Sequence, residues 1–164
     1  MKNILMRNVR NTIGIFGLIL AISLGSAFAQ GESKGGGRLA GTWDAVVTLQ
    51  NCATGDAIRS FNSIASFTKD GITIGSTSGT PQSLRTPEHG IWRHEGGNTY
   101  AFKFKSFRFD SAGNSTGWSI VTHQLELDQD NDSYNSAGIA QIFAPNGVQV
   151  AQGCSSGVGT RFGF

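Results

Sequence analysis

The chain has no helical periodicity, little net charge, only two cysteines and a single long apolar run. Each shortage removes a class of protein. Without apolar residues recurring at i, i+3, i+4 there is no amphipathic helix to build from, so the reading is all-β. The one apolar run, residues 13–24, is too short for a permanent membrane anchor. It lies between the basic residues Lys2, Arg7 and Arg10 and the small residues of Ala27-Phe28-Ala29, which is the pattern of a secretory signal peptide cut after Ala29. No cysteine lies beside that cut, which argues against a lipoprotein anchor. Removing residues 1–29 takes three of the 13 Lys and Arg and none of the 11 acids, so the mature chain carries 10 − 11 = −1. That charge gives no basis for binding nucleic acid or an anionic membrane.

What remains divides simply. Residues 30–38, QGESKGGGR, read as a flexible Gly-rich leader, and residues 39–164 as one domain. In an exported chain its two cysteines, Cys52 and Cys154, are expected to form a disulfide; two free thiols are the alternative.

Apolar residues alternate along this domain, with turn signals at short intervals. Trp43, Ala45, Val47 and Leu49 share one face of a first strand, and Phe61, Ser63, Ala65 and Phe67 one face of a second. Strands follow at 72–77, 91–94, 100–109, 118–127 and 134–143, and Asn146-Gly147 turns into an eighth. The aromatic phase slips between Phe104 and Phe107, which predicts a β-bulge at Lys105-Ser106, and a bend is expected near Gly153 to Gly157. Eight strands joined mostly by short turns make an up-and-down meander whose last strand can return beside its first. The cysteines support closure. With Cys52 opposite Cys154, residue i faces residue 206 − i, so Trp43 meets Gly163, Ala45 meets Arg161, and both strands run out together. The expected fold is a closed eight-stranded antiparallel up-and-down barrel.

Gly41-Thr42-Trp43 on the first strand and Arg161 on the last resemble the pattern of calycins, the barrels of lipocalins, avidins and relatives. There a G-x-W tryptophan packs under an arginine from the final strand. The resemblance implies that Trp43 and Arg161 seal one end. RTPEHGIWR, the aromatic strand ending FRFD, and the late GC and TRF also resemble a group of small exported bacterial proteins. Neither resemblance implies a particular activity, and no lipocalin T-D-Y motif is present.

Chemistry is sparse. EHGIWRHEGG, residues 88–97, concentrates His89, Trp92, His94 and two carboxylates, but histidines five apart on a strand face opposite ways and lack metalloprotease spacing. It reads as a loop end and a short strand with a polar turn; the sharper alternative has His89 and Trp92 lining the barrel mouth. Asp128, Asp130 and Asp132 begin like a calcium loop, but Ser133 and Ile139 stand where Gly and Glu are required. No metal or cofactor signature emerges, and neither a Ser-His-Asp order nor a close carboxylate pair stands out. His123 shares the face of Val121, Leu125 and Leu127. It is either a hydrogen-bonded core residue or a lumenal group able to contact a ligand, ligate haem or act as acid and base. The expected function is a small-molecule-binding barrel. Phe61, Phe67, Tyr100, Phe102 and Phe104 would form the wall, with His123, His89 and Trp92 as further contacts. An isomerase- or lyase-like barrel using a lumenal histidine is the enzymatic alternative, and a filled barrel acting through its surface the structural one.

Overall fold

The structure is a computed structural model that describes residues 36–164. After a 3-10 turn at Gly36–Arg38, eight strands follow: β1 (Gly41–Gln50), β2 (Ala57–Phe67), β3 (Ile72–Thr77), β4 (Glu88–Gly96), β5 (Thr99–Phe109), β6 (Ser115–Leu127), β7 (Ser133–Phe143) and β8 (Gln149–Arg161). Each pairs antiparallel with the next, and β8 returns to β1, so the sheet closes in the order of the sequence. The signal peptide and most of the leader expected from the sequence lie outside the described residues. Arg38, assigned to the leader by sequence, is tied to the barrel: its guanidinium donates to the Gly97 carbonyl (2.6 Å) and to Asn98 (2.9 Å).

Alternation decides which side chains enter the barrel. Trp43 and Ala45 on β1, Phe67 on β2, and His123, Leu125 and Leu127 on β6 are all buried. Their sequence neighbours face out. Tyr134 and Ser136 are the buried residues at the start of β7, and Ser155, Gly157 and Gly159 those of β8. The glycines serve the large residues opposite them. A Cβ on Gly159 would lie 2.3 Å from the Tyr134 ring, and one on Gly138 2.4 Å from the His123 ring. The glycine-rich late strands therefore provide the space these rings occupy.

One end of the barrel is sealed. Trp43 is fully buried, its indole N–H donates to the Leu39 carbonyl (2.9 Å), and its ring meets Tyr134 edge-on at 5.1 Å. The Arg161 guanidinium sits 4.2 Å from the Trp43 ring centre. It also donates to the carbonyls of Arg38, Ala40 and Asn131 at 2.7–3.1 Å, joining the segment before β1 to the β6–β7 turn.

Three local expectations are corrected. Cys52 and Cys154 are bonded, with Cα atoms 5.2 Å apart, but they are not cross-strand partners; Gln50 faces Cys154 and Trp43 faces Arg161. The register is thus two residues from the expected one, because Cys52 lies past the end of β1 and reaches back diagonally. An even shift keeps every side chain on its expected face. No bulge occurs at Lys105-Ser106. Pairing with β6 is regular there and shifts only between Arg108 and Phe109. Ser106 takes the inward position, while Phe107 points out toward its partner Trp118, with the Lys105 ammonium over both rings at 5.0 and 4.4 Å. The strand at 91–94 extends over Glu88–Gly96, so Glu88 and His89 belong to β4 and not to a loop. The register of β8 runs unbroken through Gly153 to Gly157.

Candidate functional site in the barrel lumen

Beyond the seal the barrel holds a cavity of about 330 Å³. Ala45, Val47 and Leu49 all line it along β1, a run of about 13 Å at the usual strand rise. Phe61, Phe67, Phe102 and Phe104 form an aromatic wall. Phe67 meets Phe102 edge-on at 5.6 Å, and Phe102 stacks on Phe104 at 6.2 Å.

His123 lines the same space. Its ring lies 5.2 Å from Phe102, and both nitrogens are hydrogen-bonded, Nδ1 to Ser136 Oγ (3.1 Å) and Nε2 to Ser155 Oγ (2.9 Å). Ser136 Oγ donates onward to the Gly157 carbonyl (3.4 Å). The consistent assignment has Nδ1–H donating to Ser136 and Nε2 accepting from Ser155. Burial pushes the imidazole down to a pKa of about 4, so it is neutral at pH 7.

A second polar cluster stands nearer the open end. Arg85, from the loop between β3 and β4, reaches into the barrel, pairs with Glu88 at 2.7 Å and donates to Ser106 Oγ at 2.9 Å. Ser106 in turn bonds Ser119 at 3.1 Å. Burial raises the Glu88 carboxyl above its ordinary value, opposed by the Arg85 charge. Tyr134 is pushed up to about 12 by burial and by the Glu88 charge. Its hydroxyl has no hydrogen-bond partner among the described residues and belongs to a ring lining the cavity.

The expected site residues separate into two sets. Phe61, Phe67, Phe102, Phe104 and His123 meet around the cavity. Tyr100 and Trp92 do not line it: both are buried toward the sealed end, 5.8 Å apart, with the Trp92 indole donating to the Thr68 carbonyl (2.8 Å). His89 is exposed on the outer face of β4 between Ile74 and Lys105. The pairing of His89 and Trp92 at the mouth is corrected for a simple reason: residues three apart on a strand point to opposite faces. His94 bonds the Gly97 carbonyl (2.8 Å) in the turn. The Asp128 carboxylate accepts from the backbone N–H groups of Asp132 and Ser133, at 3.2 and 3.1 Å, and from the Ser133 hydroxyl, so this loop is a hydrogen-bonded hairpin turn.

Sequence reasoning missed Arg85, Glu88, Tyr134 and the four buried serines, Ser106, Ser119, Ser136 and Ser155. A signal existed for some. Ser106 continues the inward phase of Phe102 and Phe104, and Glu88 shares the phase of Trp92, but an aromatic at Phe107 and a carboxylate beside proline pointed the other way. Fold and site together define a class, a closed antiparallel barrel with one sealed end, an aromatic wall and hydrogen-bonded polar clusters in its lumen. No family model matches the chain, nor does any curated protein.

The buried imidazole makes stability depend on pH. A base whose folded pKa lies below its unfolded value contributes stability that is whole above about 6.5 and lost as pH falls toward about 4. Between pH 7 and pH 5 the loss is about 2 kcal/mol. His123→Gln is expected to abolish most of it in urea titrations at the two pH values. An unchanged pH dependence in the variant would mean that the imidazole is not the buried neutral group described here. Glu88 acts in the opposite sense, since protonation relieves its burial as pH falls; His123→Gln leaves that contribution in place, so the difference between variant and parent isolates the imidazole.

Proposed function

We propose that this is an exported binding protein that holds one small, partly apolar molecule in the lumen of a calycin-like barrel. The observation that carries the reading is the cavity of about 330 Å³ lined on one side by four phenylalanines, a volume within the usual range for small-molecule sites. Export is supported by Ala27-Phe28-Ala29 and by the disulfide, which suits an oxidising compartment. The calycin likeness is supported by Trp43 packed beneath Arg161 at the sealed end. Ser155 and His123 at 2.9 Å have the spacing of a nucleophile and its base. A base held near pKa 4 has little driving force to take a proton at neutral pH, so the pair favours binding over acyl transfer.

The test uses N-phenyl-1-naphthylamine, an uncharged fluorophore that brightens in apolar surroundings. Its titration is expected to saturate at one molecule per barrel. Ala140 lines the cavity, and Ala140→Phe, which places a ring in the lumen, should weaken binding at least tenfold with the melting temperature kept. Equal binding by the filled variant would place the fluorophore on the outer surface. No binding at all would favour a barrel that acts through its exterior.

A further inference from the structure

The charge around the cavity mouth is one-sided. Three arginines, Arg59, Arg85 and Arg108, line the cavity against one carboxylate, Glu88. Arg85 and Glu88 neutralise each other at 2.7 Å. Arg59 and Arg108 are left over. Both are exposed at the ends of strands that border the opening, β2 and β5, and neither has an ion-pair partner among the described residues. Arg59 donates to the Gly79 carbonyl (2.8 Å) and rests over the Phe61 ring at 5.4 Å, which holds its guanidinium above the aromatic wall. Among the described residues neither arginine forms a salt bridge with the acids of the adjoining turns. Asp56 accepts from Thr54, and Asp110 from Asn114 and Ala112 within its own turn. Two unmatched positive charges therefore stand at the opening of a lumen whose walls are largely apolar, on a mature chain whose net charge is negative.

Positive charge beside a low-dielectric wall selects for anions, and a guanidinium fork matches a carboxylate with two parallel hydrogen bonds. We infer that the occupant is an amphipathic organic monoanion, with its apolar body against Phe61, Phe102 and Phe104 and its anionic group, a carboxylate in the simplest case, at the mouth between Arg59 and Arg108. The inference rests on the lumenal binding proposed above and adds the sign and place of the ligand's charge. Arg85 takes no part, because its fork is engaged by Glu88 and Ser106.

Three probes with the same eight-carbon body isolate the charge: octanoate, 1-octanol and octylammonium. In calorimetric titrations at pH 7 and low salt, octanoate is expected to bind at least tenfold more tightly than octanol, and octylammonium more weakly than either. Arg59→Gln/Arg108→Gln should bring octanoate to the level of octanol. Arg93→Gln/Lys103→Gln, which removes the same charge from the outer wall, should leave the preference intact, as both residues are exposed outside the lumen. Added salt should weaken octanoate alone. Octanoate and octanol binding alike in the unmodified protein, or a preference that survives the double arginine variant, would overturn the inference while leaving lumenal binding standing. Failure of all three probes on folded protein, together with failure of the neutral fluorophore, would bring down both.

Discussion

Trp43→Ala is expected to lower the unfolding free energy by about 3–5 kcal/mol. The indole is fully buried, so truncation removes its apolar contacts and leaves a hole at the sealed end that the surrounding strands can only partly close. Two polar consequences add to this. The Leu39 carbonyl loses its indole donor, and the Arg161 guanidinium loses the ring beneath it. Trp43→Phe separates these contributions: it restores much of the volume without the N–H, and should cost clearly less. Because Arg161 and Trp43 touch, Trp43→Ala and Arg161→Ala should be less than additive in a double-mutant cycle. Arg161→Ala alone removes bonds to three backbone carbonyls and so loosens the segment before β1 from the β6–β7 turn. The measurement is urea unfolding followed by the fluorescence of the remaining tryptophans. A loss under 1 kcal/mol for Trp43→Ala would show that the seal is not where the barrel's stability resides.

The architecture was legible in the sequence because alternation and turn chemistry are local. Trp43, Ala45, Val47 and Leu49 declare a face without reference to any other strand, and Asn146-Gly147 declares a hairpin without reference to the core. Closure was legible because a pair of distant cysteines linked the first strand to the last. The register was not, since a disulfide joins Cα atoms 5.2 Å apart whether they are directly opposite or diagonal. The Phe107 reading failed for a related reason. Hydrophobicity marks burial only on average, and here an outer aromatic stands half-exposed opposite Trp118 with the Lys105 ammonium over its ring instead of entering the lumen.

The candidate site was half legible. The phenylalanine wall follows from phase alone, as does the inward direction of His123. Its partners Ser136 and Ser155 lie 13 and 32 residues further on, and no local pattern ties them to His123 in preference to Ser133 and Ser156 on the same strands. Their selection is a matter of register: Gly138 stands between His123 and Ser155 in one cross-barrel row, and the missing side chain lets the imidazole reach across. Arg85 comes from a loop, where phase says nothing, and only the fold shows that its side chain turns inward to Glu88 and Ser106.

Replacing both cysteines, Cys52→Ser/Cys154→Ser, is expected to cost about 4–5 kcal/mol. The bond spans 102 residues, almost the whole described domain, and in the chain-entropy account a loop of this length restricts the unfolded state by about that amount. Its position adds a kinetic consequence. It staples β1 to β8, the strand pair whose contacts are farthest apart in sequence and slowest to find each other. Little native packing is lost in the exchange, since Cys52 is exposed and Cys154 only half-buried. The effect should therefore appear chiefly through the unfolded chain. The serine variant is expected to refold more slowly and to show a steeper dependence on urea, because an unstapled denatured chain exposes more surface. Chemical reduction of the native protein should reproduce the loss. If the serine variant falls by less than 1 kcal/mol and keeps the same urea slope, the loop-closure account is wrong, and the barrel seam is held by β1–β8 hydrogen bonds and the Trp43–Arg161 seal alone.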